Sequence, residues 1–508
     1  MSRTKRFLGG VSLGYTNQGL VMVAGLWLTP FLLRRIGQHD YGLWLVGAQL
    51  LSYLSLMDFG IVGLLPRATA YATGRAGDSV ETADLPEIIG QTISLVLCQL
   101  PLVAIASCIL WVTMASEWGA LRVPLGVVFI TFVLVFPLRI LQAVLQGLQD
   151  LKFLGQVNIV AWIAGIAVTI AMVLAGMGLY ALAGGWVVTQ VVTSISCFLR
   201  LHSRFPSVLP RRLPRWSWTA AREQVGKGSW VSLAQVAQVL VNGTDILIIG
   251  KLFGPAAVVP FVITGKLIGV LSNQPQMLMA AAGPALSQMR MGDSHKRLPE
   301  VCVALTQAML MMSGAIVCVV LAVNQGFVGR WVGSSQYGGF WLTVLILVTM
   351  LLRHWNLTIG YSLFCFGYER RICITALIDG LVSVGAVFLI ARSWGLVGAP
   401  LGMMLGAALI SLPANLVALA RESNLSVWGL VRPLIPWFVR FVSLLALTGA
   451  VVRVWVPTSL PLLAVTALVT ALAYLGLMFP LALRDPLGQY IRPRLFFLRA
   501  RVPAPACE

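Results

Sequence analysis

Polar positions along this chain are widely spaced. They interrupt apolar runs that recur from end to end. About fourteen runs reach the length of roughly 20 residues that a helix needs to cross a bilayer. They lie near 11–33, 41–66, 89–115, 121–146, 155–176, 178–200, 229–253, 257–284, 301–323, 338–365, 372–391, 395–419, 433–455 and 459–481. Within the runs, the few polar residues return at steps of three or four, the spacing of one helix face. Gln235, Gln238, Asn242 and Asp245 form such a stripe in the seventh run. Arg139, Gln142, Gln146 and Gln149 form another in the fourth, and Thr375, Asp379 and Ser383 a third in the eleventh. The eighth carries Lys266, Asn273, Gln274 and Gln276, with Pro275 expected to kink it. Arg353 and Asn356 share a face of the tenth. Polar side chains inside a membrane face the bundle interior or a wet cavity, so the stripes predict a polar lumen.

Composition supports the pattern. The chain has 508 residues, 58% hydrophobic and 10% charged. A soluble domain carries about 25% charged residues. The basic start MSRTKRFLGG leads into a long apolar run, which reads as a retained first helix rather than a cleaved signal. The net charge of +19 raises nucleic acid as a partner, but its distribution argues against that. With the N-terminus inside, about 25 of the 36 Lys and Arg fall on cytoplasmic segments, the asymmetry of the positive-inside rule. Both termini are then cytoplasmic. The basic segments, above all 203–227 and the C-terminal tail, would lie against anionic lipid. The cysteines form no CxxC pair, and no His has a ligand-spaced partner. Neither a metal nor a cofactor is expected.

The halves of the chain resemble each other. LLRRIGQHDYG around Gly37 matches IIGKLFGPAAV around Gly254, and GLYALAGG from Gly178 matches GLVGAPLG from Gly395 at the same offset. Between these, GRAGDSVETADLPE matches MRMGDSHKRLPE, and GLQDLK matches GYERRI. Six helices per half give a parallel repeat, and a substrate site is expected where two such bundles meet. The expected fold is therefore all-α and integral to the membrane. It has about 14 transmembrane helices, in two pseudo-symmetric six-helix bundles plus two extra C-terminal helices. The expected parts are an N-terminal lobe 1–202, a basic linker 203–227, a C-terminal lobe 228–425, and residues 426–508 with the last two helices and the tail.

The expected lumen contains three acids, Asp58, Asp245 and Asp379, and the bases Arg67, Arg139, Lys266 and Arg353. Two readings compete for them. They lock helices as buried ion pairs, for instance Asp245 with Lys266, or they bind substrate and couple ions. Lys266 and Arg353 are assigned to substrate contact. Arg139 either contacts substrate or snorkels at its helix end. Gln235, Gln238 and Asn242 are candidate substrate donors, with helix packing as their alternative. Asp58 sits inside YLSLMDFGIVGLLPRA, where a lone charge costs roughly 2.5–3.5 kcal/mol on insertion scales. A partner within its own lobe, such as Arg139 or backbone donors of the first span, would offset that cost. Arg67 would then guard the cytoplasmic mouth.

The stretch RRIGQHDYGLW followed by LSLMDFGIVGLLPRATA resembles the first loop and second helix of bacterial polysaccharide flippases. The residues that carry the likeness are Gly37, Tyr41, Gly42, Asp58, Gly60 and Arg67, joined by LQGLQDLKF at 145–153. These are the Wzx-type oligosaccharide-lipid flippases, in the superfamily of multidrug extruders and lipid II flippases. KLFGPAAVVPF in the second half lacks the Tyr-Gly pair. The resemblance implies a polyprenyl-diphosphate-linked oligosaccharide as substrate. It would be moved to the outer leaflet of the bacterial inner membrane for O-antigen, capsule or exopolysaccharide assembly, with H+ or Na+ as a coupling ion and a glycan polymerase as a neighbour. The rivals are an ion-coupled drug exporter, which would want a more acidic lumen, and a non-transporting assembly component. A membrane enzyme would want an acid–base pair in a sizeable outside loop, and NQGFVGRWVGSSQYGG contains none.

Overall fold

A computed structural model describes residues 3–75, 84–210, 218–291 and 297–492. Parts of the matched loops (76–83 and 292–296), of the linker (211–217) and of the basic tail (493–508) lie outside the described residues. Among the described residues there is no strand. The chain separates into two compact units, one of Met1–Val239 with Phe253–Val258 and one of Leu240–Leu252 with Val259–Glu508.

The first unit holds α1 (Arg3–Ile36), α2 (Gln38–Ser55), α3 (Ile61–Arg75), α4 (Leu85–Glu117), α5 (Arg122–Val135), α6 (Arg139–Gly147), α7 (Leu151–Leu174), α8 (Leu179–Arg204) and most of α9 (Trp218–Val241). The second holds α10 (Thr244–Phe253), nearly all of α11 (Pro255–Met291), α12 (Leu298–Trp331), α13 (Phe340–Cys365), α14 (Glu369–Trp394), α15 (Gly398–Gly406), α16 (Leu412–Glu422), α17 (Val427–Val431), α18 (Ile435–Val454) and α19 (Leu460–Ala482).

Among the described residues, ten helical stretches are long and apolar enough to cross a membrane, or twelve when each of two bent pairs counts as one span. The expectation of fourteen differs from this for identifiable reasons. It takes 11–33 as a span, and it divides Glu369–Glu422, a stretch of 54 residues. At 1.5 Å per residue that stretch is far longer than a bilayer is thick. It turns at Gly395 (φ 63), and α15 packs back along α14.

The outer faces are apolar, as lipid requires. On α19, Leu468, Leu472 and Leu475 are exposed, whereas Tyr474 and Met478 are buried. The last two helices, α18 and α19, both pack on α12. The Trp437 indole donates to the Tyr474 hydroxyl at 3.0 Å, and Trp437 stacks on Phe441 at 4.9 Å. Gly314 of α12 makes room for them: a Cβ there would lie 2.9 Å from the Trp437 ring.

Two expected spans are broken. The run 41–66 divides into α2 and α3, with a tight 3-10 turn at Leu56–Asp58 and a 53° bend. Phe59 (φ 47) and Gly60 (φ 71) both take left-handed backbone, which ends a right-handed helix. The run 229–253 divides at Asn242 and Gly243 (φ 145), with a 40° bend. Pro275, by contrast, does not interrupt α11.

Candidate functional site

The break after Asp58 explains the placement of its charge. Asp58 is buried, at 1% exposure, but it does not sit within a continuous helix. It ends the 3-10 turn, and its Oδ1 accepts from the Gly60 N–H at 2.9 Å. Breaking a helix in lipid strands backbone donors, and a carboxylate satisfies one of them. Oδ2 lies 3.4 Å from Arg139 Nη2, and the Asp58 carbonyl accepts from Gln99 Nε2 at 3.4 Å. The expected partner within the lobe is therefore Arg139. Asp58 thus joins two helices across a bend.

Arg139 opens α6 after the turn Phe136–Leu138, and its guanidinium lies 5.6 Å from the centre of the Phe136 ring. Its side chain is 33% exposed, yet Nη1 is buried without a hydrogen-bond partner. Close packing fixes the joint from the other side. A Cβ on Gly60 would lie 2.7 Å from the Gly228 carbonyl of α9, and one on Gly228 would lie 2.6 Å from the Phe59 carbonyl. Arg67, one residue beyond Pro66, is exposed on α3. Its Nε donates to the Tyr71 hydroxyl at 2.9 Å, and no carboxylate among the described residues pairs with it.

The second unit contains the denser cluster. Arg353 of α13 makes a two-pronged pair with Asp379 of α14. Nη1 meets Oδ2 at 2.6 Å and Nη2 meets Oδ1 at 3.1 Å. Nη2 also donates to Ser383 Oγ at 3.2 Å and to the Met403 carbonyl at 2.9 Å. The carboxylate accepts further from Ser383 Oγ at 3.0 Å and from Ser411 Oγ at 2.6 Å. Beyond it, Asn356 donates to Ser411 at 3.0 Å, and Asn415 donates to Asn356 at 2.8 Å. Arg353, assigned to substrate on the ground that no acid is near it in sequence, thus has an acid brought to it by a neighbouring helix. Its Nε remains buried without a partner.

Ser411 and Asn415 were missing from the sequence reading. Their signal was GAPLGMMLG, whose glycines recur every fourth residue. Gly398, Gly402 and Gly406 bring α15 against α14; a Cβ on Gly398 would lie 2.6 Å from the Ala391 Cα, and one on Gly406 would collide with Ser383 and Asp379. A π-helical turn at Ala407–Ser411 follows α15 and ends on Ser411. One-turn widenings of this kind often mark functional sites.

The remaining candidates stand apart from ion pairs. Lys266 is half-buried on α11, with no carboxylate partner among the described residues. The suggested pair with Asp245 is not formed. Asp245, half-buried in the first turn of α10, accepts from the Ile246 N–H at 2.9 Å. The expected stripe from Gln235 to Asp245 is not continuous, because the break at 242–243 interrupts it. Gln235 is half-buried on α9 with its Oε1 buried and unpartnered, while Gln238 and Asn242 are exposed. No group of three or more His, Cys, Asp or Glu among the described residues has metal-binding geometry.

Comparison with known proteins bears on both fold and family. Residues 91–338 match the family model described as polysaccharide biosynthesis protein. No curated protein gives a significant match. Among solved structures, the chain is similar to the lipid II flippase MurJ in an inward closed conformation, with TM-score 0.63, 9% identity, and coverage of 94% of this chain and 99% of that one. It is also similar to an inward-facing MATE family multidrug resistance transporter of the MOP superfamily, with TM-score 0.55, 14% identity, and coverage of 82% and 95%. A MOP superfamily transporter from Pyrococcus furiosus matches with TM-score 0.51, 15% identity, and coverage of 84% and 94%. These likenesses define the fold. The chain therefore has the fold of the MATE and MurJ transporters, and its residues 91–338 are similar to the polysaccharide biosynthesis protein family.

Proposed function

We propose that the protein carries a polyprenyl-diphosphate-linked oligosaccharide from the cytoplasmic to the outer leaflet of the bacterial inner membrane, by alternating access of its two lobes. The family description supports a role in polysaccharide biosynthesis. The observation that carries the substrate reading is the contrast among the intramembrane cations. Arg139 and Arg353 are each matched by a carboxylate, whereas Lys266 has none among the described residues. An ammonium in a partly dry site without a counter-ion is suited to an anionic ligand. Arg67, equally without an acid, would meet the diphosphate at the cytoplasmic mouth, with Gln235, Gln238 and Asn242 as neutral donors for the glycan. Asp245 is the coupling carboxylate for H+ or Na+ on this reading, since no cation among the described residues neutralises it. Arg353 and Arg139 contribute by holding helices in place. A glycan polymerase would take the product at the outer face.

The test is export in cells and in vesicles. Lys266→Ala, matched for protein level, should lower surface glycan and leave the lipid-linked intermediate inside. Normal export by the Lys266→Ala, Arg67→Ala double variant would remove the diphosphate-binding role. Reconstituted transport that ignores pH and sodium gradients, in the natural protein and in Asp245→Asn, would remove the coupling role.

A further inference from the structure

A second basic site lies outside the polar cluster of Arg353. Gly367, Tyr368, Arg370, Arg371, Ile374 and Thr375 line an open cavity of about 370 Å³ at the start of α14. Its floor is built on a helix N-terminus. Gly367 (φ 83) turns the chain, and the first turn of α14 has no side-chain cap. Backbone N–H groups there lack intrahelical acceptors and carry the positive end of the helix dipole. Arg371 is half-buried and oriented by donating from Nη2 to the Ala414 carbonyl at 2.9 Å.

Thr375 adds an independent observation. It is only 8% exposed and lines the cavity, yet its hydroxyl makes no hydrogen bond among the described residues. A hydroxyl in the wall of an open cavity, with no protein acceptor, is available to donate to a ligand. The nearby acids are turned to other uses or lie off the lining. Glu422 accepts from the Tyr368 hydroxyl at 2.6 Å, and Glu369 is exposed. The corresponding turn of the first half has an acid paired with its base. There Asp150 precedes α7 and pairs with Arg200 at 2.8 Å.

We propose that the cavity at the start of α14 is a binding site for a phosphoryl anion, held by Arg370, Arg371, the Thr375 hydroxyl and the first-turn N–H groups of the helix. The ligand is a phosphate or diphosphate ester of headgroup size. The positive-inside reading puts this turn on the cytoplasmic side, where it would meet either a lipid headgroup or a soluble diphosphate. The site does not depend on what the transporter carries.

The test uses the full-length protein. Inorganic pyrophosphate is titrated calorimetrically in neutral detergent. In parallel, thermal unfolding is compared in nanodiscs of phosphatidylcholine with and without phosphatidylglycerol. Pyrophosphate should bind, or phosphatidylglycerol should raise the unfolding midpoint, and Arg370→Gln with Arg371→Gln should weaken the response about tenfold or more. Thr375→Val keeps the shape and both arginines, so it tests the site even if the Arg371 variant folds poorly. It should weaken the same response severalfold. A response to the lipid alone assigns the source to a headgroup, and a response to pyrophosphate alone assigns it to a soluble diphosphate. Absence of both responses, or responses that persist unchanged in Thr375→Val and Arg370→Gln, overturns the proposal.

Discussion

Arg139 and Arg353 occupy the fourth expected span of their respective halves, and each meets a buried carboxylate. The resemblance ends there. Arg353 is 18% exposed and grips Asp379 with two nitrogens, and two serines complete the carboxylate's shell. Arg139 is 33% exposed and touches Asp58 once, at 3.4 Å. The acids also come from different places. Asp379 sits mid-helix on the fifth span of its half, whereas Asp58 sits at a break in the second. The difference teaches that a basic residue's position in a repeat does not set its role. What the facing helix offers does. In the second unit a glycine stripe lets α15 lie on α14 and close a complete network, so the pair fastens helices. In the first unit the carboxylate is divided between a backbone donor and a guanidinium, so the pair caps a joint.

The largest expected effect breaks the fastened pair. Asp379→Leu leaves a guanidinium buried without its acid and should cost about 3–5 kcal/mol. Folded yield and unfolding midpoint in detergent would report it. Asp379→Leu combined with Arg353→Met should recover much of the loss. A double variant as poor as the single would show that the pair matters for something besides charge balance. Next comes the joint itself. Gly60→Val forces a β-branched residue into left-handed backbone against the Gly228 carbonyl and should cost roughly 2–4 kcal/mol.

A smaller effect separates the two uses of Asp58. Asp58→Leu removes both cap and pair and should cost about 2–3 kcal/mol. Asp58→Asn still accepts from Gly60 and should stay within about 1 kcal/mol of the natural protein. Equal losses in both would mean that the charge, and not the cap, holds the joint. The smallest effect is expected at Arg139. Arg139→Gln loses one long, partly solvated contact and should cost no more than about 1 kcal/mol. A loss comparable to that at Asp379 would erase the contrast between the two units.

Much of this was legible in the chain. The apolar runs gave the helices, because a backbone in lipid must satisfy its own hydrogen bonds and a helix does so locally. The motif around Asp58 and Gly60 resembled the polysaccharide flippases, and the fold is one that a lipid II flippase shares. Arg139 was one of two partners expected for Asp58, beside backbone donors of the first span, since a charge inside a span needs a partner. The break at Phe59 was not anticipated. MDFG reads as apolar sequence with one acid, and nothing local demands a left-handed phenylalanine. That backbone is held by the approach of Gly228 from a helix about 170 residues later, a contact that no window of sequence contains.

The same division runs through the polar cluster. Sequence spacing put Thr375, Asp379 and Ser383 on one face, because helical periodicity is a local property. It left Arg353 without an acid and overlooked Ser411 and Asn415. Which stripe faces which other is decided by helix packing, here by Gly398, Gly402 and Gly406 closing the distance between α15 and α14. Sequence by itself determined that this protein is a bundle of membrane helices with charges that need partners. Only the tertiary structure decided which charges are matched and which remain available, because hydrogen bonds reach about 3 Å and their partners come from separate helices.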